Sequence, residues 1–229
     1  MTPHGPIYCE TGHPWLYMAE PVNTITNAFI ILAAILAYYR IRNARIGFPG
    51  DLNVLLVLLI VTGIGSFLWH GLRTPWALVL DAAPGVLFLV AMSGFWMRML
   101  FGGIAGFFGS LGMLAAAIGS VWLWREYVGM PPGLPQPFMF APAFATIAII
   151  GVGLVVTTDR KFGARAAQLG AAVLVFGVAA AVFRSIDLLV CAAIPFGTHF
   201  LWHIGLSTAA YLGITMLVGM KVRGRAVFG

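Results

Sequence analysis

The chain is poor in charge. Only 9% of its 229 residues are Asp, Glu, Lys or Arg, where a soluble domain carries about a quarter. Lysine is confined to Lys161 and Lys221. Both fall at the side read below as cytoplasmic, so no lysine is placed mid-membrane for a Schiff base, which argues against a retinal pigment. No basic n-region precedes an apolar run at the N-terminus, so a cleaved signal peptide is not expected and insertion falls to the helices themselves. There is no paired-half repeat with broken helices of the transporter kind, and there are no low-complexity tails. The formal charge is +6, but the basic residues form no stripe with interleaved polar positions. No nucleic-acid partner is expected.

Apolar residues are abundant: 61% of the chain, with a mean hydropathy of +0.96. A bilayer core about 30 Å thick takes roughly 20 apolar residues per helix. Seven such segments can be marked, at about 20–39, 52–71, 76–97, 101–124, 138–157, 166–182 and 198–220. The expected fold is all-α and polytopic, a single seven-helix transmembrane domain. Residues 1–19 form a lead-in carrying His13, Trp15 and Tyr17, residues 20–220 the bundle, and 221–229 a cytoplasmic tail. Part of the segment holding Arg184, Asp187 and Cys191 is expected to extend the sixth helix. The run at 131–135, rich in proline, cannot be helical throughout.

Orientation follows from the basic residues. Arg40, Arg42, Arg45, Arg98, Arg160, Lys161, Arg165, Lys221, Arg223 and Arg225 share one side, and Arg73, Arg125 and Arg184 the other. The positive-inside rule then places the N-terminus outside and the C-terminus in the cytoplasm.

On that topology a polar constellation lines up at one depth. His199 and His203 stand four residues apart in the first two turns of the last span, on one helix face. His70 ends the second span with Ser66 one turn before it, and Asp81 lies in the first turns of the third. Glu20, Asn23 and Asn27 share a face of the first span. Ionisable residues inside membrane helices are costly, and they usually face the bundle interior and carry function.

Three neutral imidazoles with one open position suit a catalytic Zn2+. Asp81 would take a proton from the attacking water and Ser66 would donate to the oxyanion. Trp202 would offer the substrate an apolar wall or an indole N–H. Each has a plainer reading: packing hydrogen bonds for the histidines, a backbone bond for Ser66, an ion pair with Arg73 or Arg184 for Asp81. Cys9 and Cys191 both fall on the outer side. An oxidising compartment permits a disulfide there; the alternative is two unpaired thiols.

These residues resemble those of the alkaline ceramidases. Cys9-Glu10, Glu20 and Asn23-Thr24-Ile25-Thr26-Asn27 are similar to the family's first motif. Gly65-Ser66-Phe67-Leu68-Trp69-His70 with Asp81 is similar to its second, and His199-Phe200-Leu201-Trp202-His203 to its third. The resemblance implies a seven-helix hydrolase of a superfamily that includes progestin and adiponectin receptors. Zinc would sit on His70, His199 and His203, with Asp81 activating the water and Ser66 steadying the oxyanion. The substrate would be a membrane ceramide, cleaved to a sphingoid base and a fatty acid.

The resemblance also implies a disulfide between the lead-in and the start of the last helix, which Cys9 and Cys191 match. Calcium fits less well. Ile7 and Gly12 stand where the family has an aspartate and an asparagine, leaving Glu10 and Glu20 as candidates for a second cation. Two carboxylates are a poor cage for an ion that takes six to eight oxygens. The competing class is a lipid-binding receptor on the same scaffold with a structural zinc; a haem between His70 and the last span is a third reading. An alanine-rich, arginine-biased composition points to a bacterial inner membrane, with the site toward the periplasm. Oligomeric state cannot be read from the chain.

Overall fold

The computed structural model describes residues 7–12, 18–129, 134 and 136–228. His13, Trp15 and Tyr17, and the prolines at 131, 132 and 135, lie outside the described residues. Among the described residues there are eight α-helices: α1 (Pro21–Thr26), α2 (Ala28–Asn43), α3 (Gly50–Leu72), α4 (Pro75–Phe101), α5 (Gly103–Leu123), α6 (Ala141–Phe162), α7 (Ala164–Ile186) and α8 (His199–Phe228). Seven stretches of the described residues are long and apolar enough to cross a membrane, the first made of α1 and α2 together. The chain is an all-helical, multi-pass membrane protein.

The first span breaks at Asn27 because its own polar side chains compete for the backbone. Thr24 donates to the Glu20 carbonyl at 2.6 Å, Thr26 to the Val22 and Asn23 carbonyls at 2.9 and 3.0 Å, and Asn27 Nδ2 to the Asn23 carbonyl at 2.8 Å. Such back-bonding bends a helix. Glu20, Asn23 and Asn27 are buried, as one shared face facing the bundle requires.

Several helices outrun the apolar pattern. α6 continues to Phe162, α7 to Ile186 with a 3-10 turn at Asp187–Leu189, and α8 to Phe228, so the residues read as a tail are helical to 228. Arginine and lysine are good helix formers. Hydropathy therefore marks the length that meets lipid and not the place where the helix stops.

The helices pack in chain order from α2 to α8, and α8 closes the ring against α2 while also touching α1, α3 and α4. It is the most deeply buried span, with Ile214, Met216, Leu217 and Val218 wholly enclosed. At one end of the bundle Lys221 pairs with Asp51 at 2.6 Å, while Lys161 and Arg223 donate to the Leu100 and Phe162 carbonyls. The histidines are at the other end.

One close approach sets the register between α3 and α4. Pro84 lies inside α4 and has no N–H, which frees the Leu80 carbonyl one turn earlier. A Cβ on Gly65 would collide with that carbonyl. Its absence lets α3 lie directly on it, and the next residues along, Ser66 and Asp81, come side by side. In α5, Gly106 and Gly109 lie against Arg98 and Met97 of α4, whereas Gly103 and Gly112 meet nothing. Two of those four glycines serve close packing.

Candidate metal centre

α3 brings His70 to the bundle end in its last turn, and α8 brings His199 and His203 in its first two. Their ligand atoms lie within 4.8 Å of one another, and all three residues are buried. Ring centroids are 5.1 Å apart for His70–His199 and 4.8 Å for the other two pairs.

Hydrogen bonds fix which nitrogens face inward. His70 Nδ1 is 2.5 Å from Glu20 Oε2, and a carboxylate only accepts, so Nδ1 carries the proton. His203 Nδ1 is 2.9 Å from Thr26 Oγ1. The Thr26 proton is already spent on backbone carbonyls, so the hydroxyl accepts here as well. Both imidazoles therefore present an unprotonated Nε2. Outer partners that set the tautomer in this way accompany metal-ligating histidines. His199 Nδ1 is buried without a hydrogen-bond partner.

The donor set fits a divalent ion of the zinc type. Three nitrogens at bonding distance on a tetrahedral ion lie about 3.4 Å apart. Rings separated as here reach that with shifts of less than about an ångström.

Asp81 is half-buried and lies within hydrogen-bonding reach of the Ser66 hydroxyl. Neither arginine proposed as its partner is taken up by it. Arg73 pairs with Glu20, and Arg184 stacks over the Phe140 and Trp202 rings at 5.3 and 5.4 Å. Among the described residues Asp81 has no ion pair. Trp202, one residue before His203, packs on Phe144 of α6 at 5.8 Å.

Glu10 and Glu20 hold other charges and donors. Glu10 accepts the Val22 and Asn23 N–H groups at 2.5 and 2.8 Å, at the start of α1 where an anion is favoured. Glu20 receives His70, Arg73 and Asn23 Nδ2, the last at 3.0 Å.

A model of the ceramidase family matches residues 7–225. The chain belongs to the ceramidase family. A comparison with curated proteins returns no match. Family membership makes the protein a hydrolase directed at a membrane lipid, with ceramide hydrolysis its general chemistry. The matched region runs from the lead-in to the last turns of α8, so the site lies wholly inside it. Cys9 and Cys191 are joined, Cα to Cα 5.1 Å, and the alternative of two free thiols falls away.

Sequence reasoning missed the supporting roles of five residues. Asp187 is fully buried. It accepts the Thr198 and His199 N–H groups at 2.6 and 2.8 Å and the Cys9 N–H at 2.9 Å. It thus caps α8 at His199, one of the three clustered imidazoles. Gly197 makes room for it. Its φ is +65°, and a Cβ there would strike the Asp187 carboxylate and Cys9.

Thr26 and Arg73 hold His203 and Glu20. Tyr8 lies on His199, ring centroids 3.9 Å apart. Burial pushes its phenol above the ordinary value, outweighing the lowering by Arg184 and Arg73, so the ring stays neutral. The sequence signals were slight: a charge in a presumed loop, and a threonine inside the polar stripe.

Proposed function

We propose that this protein is a zinc-dependent amide hydrolase that cleaves ceramide to a sphingoid base and a fatty acid. The observation that carries the reading is the meeting of three buried imidazoles from two distant helices beside a Ser66–Asp81 pair. His70, His199 and His203 would hold the ion. When bound, zinc supplies Lewis acidity, polarising a carbonyl and making water a nucleophile near neutral pH.

The chain's own residues supply the proton handling. Asp81 would accept the proton of the attacking water and deliver it to the leaving amine as the C–N bond breaks. Ser66 would donate to Asp81 in the resting site. Once Asp81 holds the proton, that hydroxyl can turn to the oxyanion forming on the former carbonyl oxygen. Glu20 and Thr26 keep His70 and His203 in one tautomer throughout.

The distribution of basic residues supports a site toward the periplasm of a bacterial inner membrane, under the outer leaflet. The committed carboxylates of Glu10 and Glu20 give a Ca2+ ion little to bind.

The test is metal content together with fatty-acid release from short- and long-chain ceramides. His203→Ala should lose both zinc and activity. Asp81→Asn should keep zinc and lose about 10²–10⁴-fold in turnover. Zinc bound without any release from wild type would favour the lipid-binding receptor, for which a Ser66–Asp81 pair has no use.

A further inference from the structure

The lead-in crosses the histidine end as a strap with two unlike faces. Ile7, Thr11 and Gly12 are exposed, while Tyr8, Cys9 and Glu10 between them are buried. The strap is pinned by the Cys9–Cys191 bond, by the Cys9 N–H on Asp187, and by Glu10 on the first N–H groups of α1. Just beyond it, the Ala19 and Glu20 N–H groups close on the Gly71 and His70 carbonyls at 3.1 and 3.0 Å. Those bonds satisfy the open end of α3.

Tyr8 is the strap's contact with the imidazoles. Its ring lies 3.9 Å from His199 and 5.4 Å from His70, and the Arg73 guanidinium sits 4.8 Å from its centroid. Arg73 is itself fixed, paired with Glu20 and stacked over Trp69 at 4.4 Å. A neutral aromatic ring thus stands between three buried nitrogen ligands and a strap whose other face meets water. On the α4 side the wall is different. Asp81, in the membrane-spanning helix α4, is only half-buried, and Leu78 one turn before it is exposed.

We propose that Tyr8 is a shielding residue of the metal centre, a disulfide-anchored ring that closes its solvent side and leaves the bilayer side as the approach. The inference rests on the metal-centre reading above. A flat side chain with two rotatable bonds makes an effective plug, and pinning on both sides leaves it little freedom. Closing the aqueous face would strengthen the hydrogen bonds inside. It would also favour amides dissolved in the membrane over those dissolved in water.

The experiment follows loss of zinc from the full-length, zinc-loaded protein in nanodiscs to EDTA in the surrounding buffer, read with a zinc indicator. Tyr8→Ala should lose zinc at least about tenfold faster than wild type, because no local opening is then needed. Tyr8→Phe keeps the ring and should stay near the wild-type rate. A wild-type rate for Tyr8→Ala, or an equal acceleration in Tyr8→Phe, would overturn the proposal.

A second measurement needs no substitution. Reducing Cys9–Cys191 with a phosphine should release the strap and accelerate loss from wild type, and an unchanged rate would count against the shield. Wild type that takes up no zinc at all would instead remove the metal-centre reading itself.

Discussion

Replacing Asp187 by alanine removes the acceptor of three backbone N–H groups in one step. Hydrogen bonds to a charged group contribute about 1.5–3 kcal/mol each, and a buried donor left alone costs a similar amount. The three share one carboxylate and do not add, and losses beyond about 4–5 kcal/mol are exceptional for single substitutions. We therefore expect a loss of about 3–5 kcal/mol. At about 2–4 °C per kcal/mol for a chain of this length, the melting temperature should fall by on the order of 10 °C.

The loss falls where α8 begins. His199 is the first residue of that helix, and without the cap its turn frays and the ligand drifts. Zinc affinity should drop with stability. The assay is thermal unfolding in detergent with zinc titration on the same sample, after mass spectrometry has established that Cys9–Cys191 is intact. With the disulfide kept, the lead-in stays tethered and the shift reports the cap alone. A variant melting within about 2 °C of wild type and binding zinc equally well would refute the cap as the device that positions His199.

Two further outcomes test the supporting shell. Thr26→Val keeps the shape but removes the acceptor for His203 Nδ1, so zinc affinity should fall about 10–100-fold in a competition titration. Gly65→Ala drives a methyl group into the Leu80 carbonyl and should cost about 1–3 kcal/mol. Because it separates Ser66 from Asp81 and leaves the histidines in place, turnover should fall while zinc content holds. A variant with unchanged turnover would remove Gly65 from the account of how α3 and α4 meet.

Much of the architecture was legible because a bilayer imposes a one-dimensional rule. Every backbone polar group must be satisfied inside its own segment, so apolar length alone marks the seven spans. Alternate crossing then fixes which residues share an end, and His70, Asp81, His199 and His203 could be gathered at one depth before any packing was known. The chemistry of the residues did the rest: two imidazoles at i and i+4 face the same way on any helix.

What the sequence could not say concerns partners across the bundle. Asp81 had three open readings, Arg73, Arg184 and water, and only the packing of α3 on α4 at Gly65 assigns it to Ser66. Arg73 looked like a loop charge, yet its left-handed backbone at φ +56° turns it back over Tyr8 and Glu20. Asp187 carried no pattern at all, because a cap that serves the helix 12 residues later and a strap 178 residues earlier leaves no periodicity to read. Depth along a membrane helix is local information, set by residue count from the interface. Rotation about its axis and the neighbour it meets are decided by side-chain packing among helices far apart in the chain, and only the folded bundle contains that.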